Sequence, residues 1–239
     1  MEIFQFKQFQ IKQNAASVFK VNTEAVLLTV WVTITPNIEI LEIGSGSGVI
    51  SLGLIQRIDK SSHILTIDID KNAYDLTLEN IAINKAAQVS ALNISLQDFN
   101  IQNPTKTFDL IISNPPYFQT KWKSTKPRNI LSKYTDTLDY ETLLEIGLSR
   151  LKENGVLAII IPFNDLNIIK GIALKNQSFI SRIMTLKTIF NKSPLRVLLE
   201  IKKGHSHMEY EAEEITIKGE NGLFSEEYKN MTKDYYKIF

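Results

Sequence analysis

The chain has 239 residues, 44% of them hydrophobic and 22% charged, an ordinary folded composition large enough for one substantial core. It contains no cysteine, so disulfides, thiolate metal sites and thiol nucleophiles are excluded. No run approaches the roughly 20 apolar residues of a membrane-spanning helix. The opening Met1-Glu2-Ile3-Phe4-Gln5-Phe6-Lys7 also lacks the apolar stretch of a secretion signal, so a cytoplasmic protein without membrane contact is expected.

From about residue 38 the pattern alternates between strand and helix. Residues 38–43 read as an apolar strand, a glycine-rich turn follows, and residues 49–58 have helical spacing. A strand at 64–69, a helix at 71–84 and strands at 89–94 and 108–113 continue the rhythm. Next come a helix at 140–151, the apolar strand 156–161 and a helix at 165–174. Two longer strands at 179–190 and 196–201 and a short one at 215–218 complete the series. The tail from residue 225 reads as a helix and an extended end that fold back on the domain. The expectation is an α/β, Rossmann-like fold: a mostly parallel seven-stranded sheet with helices on both faces and short extensions at either end. A single domain over residues 1–239 is expected, with an N-terminal closing segment at 1–37, a core at 38–203 and a C-terminal extension at 204–239.

The turn after the first of these strands is Leu41-Glu42-Ile43-Gly44-Ser45-Gly46-Ser47-Gly48. Alternating glycines at 44, 46 and 48 let a ligand lie on bare backbone. A dinucleotide fingerprint would need a small residue where Val49 stands, and no Gly-Lys-Ser/Thr ending marks a phosphate loop. Glu42 would repel an anion but suits a cationic amino group. Asp68, at the end of the second strand, stands where a carboxylate can bind both hydroxyls of a ribose. Asp70 is expected to face elsewhere. Asp98 is placed to accept a hydrogen bond from an adenine amino group and Phe99 to pack on the ring, although an Asp there equally suits a turn or cap.

Asn114-Pro115-Pro116-Tyr117 ends the strand at 108–113. A planar amino group on a ring or an amide is a poor nucleophile, and its two hydrogens need acceptors if its lone pair is to face an electrophile. The Asn114 side chain and the Pro115 carbonyl supply two, because consecutive prolines hold the backbone extended. Tyr117 offers a face for stacking. The competing reading is that the four residues simply mark a turn.

Charge is unevenly spread. Residues 3–23 and 115–135 hold eight cations and no acid against a net charge of +1, which leaves the rest of the chain at −7. Lys121, Lys123, Lys126 and Arg128, with Trp122 and Tyr134 interleaved, suit a polyanion carrying stackable bases, while a solvated loop is the plainer alternative. Pro116 and Phe118 are grouped with these as substrate contacts. His205-Ser206-His207 has no third ligand nearby and is expected to be solvated surface, so no metal is expected.

The glycine pattern resembles the first motif of S-adenosylmethionine-dependent methyltransferases. The whole chain resembles the bacterial tRNA1(Val) (adenine(37)-N6)-methyltransferase family. The resemblance is carried by Phe4-x-Phe-Lys-Gln-Phe9, Lys20-Val21-x-Thr23-Glu24-Ala25-Val26-Leu27-Leu28, the glycine motif and Asn114-Pro115-Pro116-Tyr117-Phe118. Arg196-Val197-Leu198-Leu199-Glu200 and the ending Phe224-Ser225-x-Glu227-Tyr228 with Thr232-Lys233-Asp234-Tyr235-Tyr236 complete it. It implies a class I methyltransferase fold, S-adenosylmethionine as methyl donor, Thr23 as a cofactor contact, and Asn114 as a catalytic residue beside the cofactor together with Pro115 and Tyr117. It further implies methylation of the adenine 3′ of the anticodon in a tRNA anticodon loop; separately, a monomer is expected. One departure is Asn129-Ile130-Leu131-Ser132-Lys133-Tyr134, which lacks the Ala-Arg-His or Ala-Arg-Tyr of that family. Alternatives are a protein glutamine N5-methyltransferase of the release-factor type, another RNA or DNA amino-methyltransferase, or a cofactor-binding RNA chaperone without catalysis.

Overall fold

A computed structural model describes residues 2–13, 20–115, 138–205 and 210–238. Eight strands form one sheet: β3 (Glu39–Ile43), β4 (His63–Asp68), β5 (Val89–Asn93), β6 (Phe108–Ser113), β7 (Leu151–Pro162), β8 (Ser178–Ile189), β9 (Arg196–Lys203) and β10 (Glu211–Lys218). Their spatial order is β10-β8-β9-β7-β6-β3-β4-β5. Every neighbouring pair is parallel except β7 with β9 and β8 with β9. The mostly parallel α/β expectation therefore holds, and the expected count of seven is corrected to eight among the described residues. The eighth is β10, the short strand expected at 215–218, which starts earlier and joins the main sheet by pairing with β8 from Glu211 opposite Arg182 to Lys218 opposite Ile189. Its first half, Glu211-Ala212-Glu213-Glu214, is exposed and acidic, so only its second half had an apolar signal.

The sheet is covered on both faces. Alternate residues of each strand point to opposite sides: Ile40, Leu110, Ile112, Ala158, Ile160 and Leu198 face one core, while Leu41, Ile111, Leu157, Ile159 and Leu199 face the other. Helices α1 (Thr23–Trp31) and α2 (Val49–Ile55) pack in the first core, and α3 (Lys71–Asn84) flanks β4 and β5. Helices α4 (Leu96–Gln102), α5 (Tyr140–Ser149) and α6 (Leu166–Lys175) cover the second. Among the described residues no helix is long and apolar enough to cross a membrane.

The N-terminal segment contains structure the sequence pattern did not separate. Strands β1 (Glu2–Gln5) and β2 (Gln10–Gln13) form a small antiparallel hairpin, and α1 follows with Asn22 capping its first turn by accepting from Ala25 N at 2.7 Å. Its Thr-Glu-Ala-Val-Leu-Leu-Thr-Val-Trp is apolar almost all round because the helix is buried, which removes the amphipathic period. The C-terminal tail adds α7 (Glu226–Thr232) and returns to the hairpin: Phe6 bridges Tyr236, and Lys7 N donates to Tyr235 O at 2.8 Å. Phe6 stacks on Phe9 at 4.3 Å and lies 5.5 Å from Tyr236, so the two ends close as one aromatic clasp over α1 and α2.

Candidate active site at the strand ends

The parallel strands deliver their loops to one edge. Ile43 pairs with Ser113, so the glycine loop leaving β3 and Asn114-Pro115 leaving β6 emerge side by side, about one strand spacing apart. Ser113 Oγ donates to Ile43 O at 2.7 Å and ties the two exits together. On the other flank, Gly44 N and Ser45 N both donate to Ile67 O, at 2.9 and 3.2 Å, which draws the loop over the end of β4.

Gly44, Gly46 and Gly48 all have positive φ, at 82°, 55° and 76°. Their spacing thus reflects backbone conformation as well as access: a side chain would be strained at each. A Cβ placed on Gly44 would meet nothing within 4 Å, which leaves the bare backbone that a ligand needs. Asp68 accepts from Gly46 N at 3.0 Å and from Asp70 N at 2.9 Å, fixing the carboxylate beside the loop. Burial raises its pKa, with those two N–H groups pulling the other way. Asp70 faces away, as expected, and caps α3 by accepting from Asn72 N at 2.8 Å.

Glu42 is fully buried beneath the loop. Burial pushes its carboxyl up to about 7, with the Ser51 hydroxyl acting in the opposite direction by donating to Oε2. Its other oxygen, Oε1, completes no hydrogen bond of good geometry among the described residues, and the Thr66 hydroxyl close by acts with Ser51 against the upward shift. A buried carboxylate oxygen without a well-placed donor is costly and fits a missing cationic or hydrogen-bonding group. Together with open space over Gly44 and a fixed carboxylate at Asp68, the donor set suits the amino group and ribose of S-adenosylmethionine.

At the adenine end one expectation changes, that for Phe99. Asp98 lies in the first turn of α4, where Ser95 Oγ accepts from Asp98 N at 3.0 Å and donates to Asp98 Oδ2 at 2.6 Å. This is a reciprocal capping arrangement, and the carboxylate stays exposed at the loop edge. Phe99 does not offer a ring to a ligand: it is 0% exposed and packs at 6.2 Å from Phe108 within the second core. Its position in α4 turns the ring inward under the sheet edge, so its side chain supports the site from below. Thr23 begins α1, and its side chain hydrogen-bonds Tyr228 of the C-terminal helix.

Pro116, Tyr117, Phe118, Lys121, Trp122, Lys123, Lys126, Arg128, the 129–134 segment and His207 lie outside the described residues.

Sequence reading missed the side chains that brace the site. Thr77 Oγ1 donates toward Ser45 Oγ at 3.0 Å, and Asn80 Nδ2 donates to Ser47 O at 2.9 Å. Asn80 Oδ1 also accepts from Lys12 N at 2.7 Å, and Asn84 exchanges two hydrogen bonds with Gln10. One face of α3 thereby clamps the glycine loop to the N-terminal hairpin. The available signal was polar residues at 77, 80 and 84, the spacing of a single helix face. Across the sheet, Glu24 at the start of α1 pairs with Arg196 at the start of β9 at 2.9 Å, and Tyr140 donates to Asp165 at 2.9 Å; both contacts lie at the strand-end edge.

Residues 13–164 match the family described as "Methyltransferase small domain". A tRNA1(Val) (adenine(37)-N6)-methyltransferase of Flavobacterium johnsoniae is 32% identical over 236 residues, covering 98% of this chain and 99% of that protein. A protein of the same name from Haemophilus influenzae is 31% identical over 243 residues and covers both chains completely. Among solved structures, a predicted O-methyltransferase from Agrobacterium tumefaciens superposes with a TM-score of 0.67 at 14% identity, over 89% of this chain and 96% of that one, a likeness of fold.

Proposed function

The chain belongs to the tRNA1(Val) (adenine(37)-N6)-methyltransferase family, and from this premise and the site's geometry we propose that it methylates the exocyclic amino group of adenine 37 in the anticodon loop of a tRNA. The observation that carries the reading is the pairing of Ile43 with Ser113, which sets the glycine loop directly beside Asn114-Pro115. A methyl donor held by the loop and an amino group held at Asn114 would then be neighbours.

S-adenosylmethionine, when bound, supplies a methyl group activated on a sulfonium. Glu42 and the bare backbone at Gly44, Gly46 and Gly48 would hold its amino-acid end, Asp68 its ribose and Asp98 its adenine amino group, with Thr23 closing from α1. The Asn114 side-chain oxygen and the Pro115 carbonyl accept the two N–H bonds of the substrate amino group. The nitrogen lone pair would then face the methyl group: as the new N–C bond forms, the S–CH3 bond of the sulfonium would break with its electrons staying on sulfur, the neutral thioether would leave, and the amino group would lose one proton to solvent. No charge has to be created on the protein, so catalysis is positioning and preorganised hydrogen bonding. Tyr117 would stack on the base, an interaction worth about 1–3 kcal/mol. An anticodon-loop base is unpaired, so extruding it costs less than in a duplex. Lys121, Lys123, Lys126 and Arg128, with Pro116 and Phe118, would receive the RNA backbone directly after the motif. We place the protein in the cytoplasm, acting as a monomer.

The test is methyl transfer to tRNA lacking the modification. The parent protein transfers methyl groups, and Asn114→Ala abolishes transfer while S-adenosylmethionine still binds. Near-normal turnover by Asn114→Ala would overturn the amino-group mechanism.

A further inference from the structure

The strand direction reverses on the side of the sheet away from Asp68, and this creates a surface the reaction itself does not use. β8 runs parallel to β7 and ends at Ile189, and β9 returns antiparallel from Arg196, which pairs with Pro162 at the end of β7. The turn between them, residues 190–195, is therefore carried to the same edge as Asn114. β9 lies two strand positions from β6 and β8 lies three, so the turn's base stands about 10–14 Å across the sheet from Asn114. This is beyond reach of the reacting base and within reach of its neighbours along a nucleic-acid strand.

The turn is well anchored. Leu195 N donates to Leu186 O at 2.8 Å, Lys192 N to Ile189 O at 3.0 Å, and Phe163 N to Leu195 O at 3.1 Å. Asn191 donates to Glu220 at 3.0 Å from the next loop. At its root Arg196 is joined to Glu24, and Lys187 is joined to Glu214 at 2.8 Å. On this fixed support three apolar side chains stand in solvent: Phe190 at 63% exposure, Leu195 at 48% and Ile189 at 37%. Exposed Lys192 lies between them, and residues 187–196 contain no acid. A flat exposed ring beside a cation, at the rim of a site for a polyanion's base, has the chemistry of a single-strand stacking platform.

We propose that the β8–β9 turn is a second RNA contact, in which Phe190 stacks on an unpaired nucleobase flanking the methylated adenine and Lys192 meets the adjoining phosphate. This rests on the tRNA reading and assigns a substrate-binding role to residues outside the motif. The experiment titrates unmodified tRNA transcript against the full-length protein and measures steady-state transfer with the same RNA. Phe190→Ala should raise the Kd and KM for tRNA about tenfold, leaving kcat at saturating tRNA and the Kd for S-adenosylmethionine unchanged, and Phe190→Trp should restore binding. Lys192→Gln should lower the slope of log Kd against log salt by about one. Unchanged tRNA binding in Phe190→Ala, with the parent methylating tRNA normally, overturns the platform alone and leaves the turn for contact with another protein. If the parent binds no tRNA, both this proposal and the reading beneath it fall.

Discussion

Replacing Glu42 with glutamine should stabilise the ligand-free protein at alkaline pH and change it little in acid. The folded protein holds the Glu42 proton up to about 7, whereas an unfolded chain releases it near the ordinary 4.5. Between those values the folded state binds more protons than the unfolded state, so stability falls as pH rises and levels off above about 7. The interval corresponds to about 3 kcal/mol of lost stability. Glutamine has the size of the protonated carboxyl and no charge to desolvate, so the Glu42→Gln advantage should be near zero at pH 4.5 and about 3 kcal/mol at pH 8. In a domain of this size that is a rise in Tm of roughly 6–12 °C at the higher pH. Urea unfolding of parent and variant at pH 4.5, 6, 7 and 8 measures it directly. A difference that stays constant across that range would refute the burial-raised carboxyl at Glu42. The same residue links to the cofactor: a bound ammonium group supplies a well-placed partner, so saturating S-adenosylmethionine should flatten the parent's pH dependence.

Asp68→Ala should raise the Kd for S-adenosylmethionine by tenfold to a hundredfold, since two charge-assisted hydrogen bonds to a ribose are lost; calorimetric titration giving an unchanged Kd would remove Asp68 from the site. Gly53→Ala should lower stability despite the better helix former, because the new Cβ would lie 2.9 Å from Thr29 Cγ2 and 3.3 Å from the Tyr235 ring. Thr29 cannot turn aside without losing its 2.7 Å bond to Ala25 O, so overpacking should exceed the helical gain by about 1 kcal/mol. An unchanged or raised Tm would show that the clasp between α1, α2 and the tail is looser than described.

The parts of the fold that could be read in the sequence are those where a short apolar run ends in a constrained turn. The 71–84 helix, with Asp70 before it, and the 108–113 strand, with Asn114 after it, were both expected and are found at those bounds. The glycine loop was legible because three positions must take positive φ. What escaped was set by tertiary contact. α1 is buried nearly all round and so lacks an amphipathic period, and the first half of β10 is acidic and gains order from pairing with β8. Phe99 was assigned to a ligand from its place after β5, but the helix phase of α4 decides where its ring points, and it points into the core. The bracing of the loop by Thr77 and Asn80 depends on packing α3 against β2, a contact between residues 68 positions apart that no local pattern specifies.

The most direct measurement of the central claim is to incubate the protein with isotopically labelled S-adenosylmethionine and bulk tRNA lacking the modification, then digest the RNA and map the label by mass spectrometry. The expected product is N6-methyladenosine at the adenine immediately 3′ of the anticodon in tRNA1(Val). Label found only in protein, or on another atom of the RNA, would contradict it.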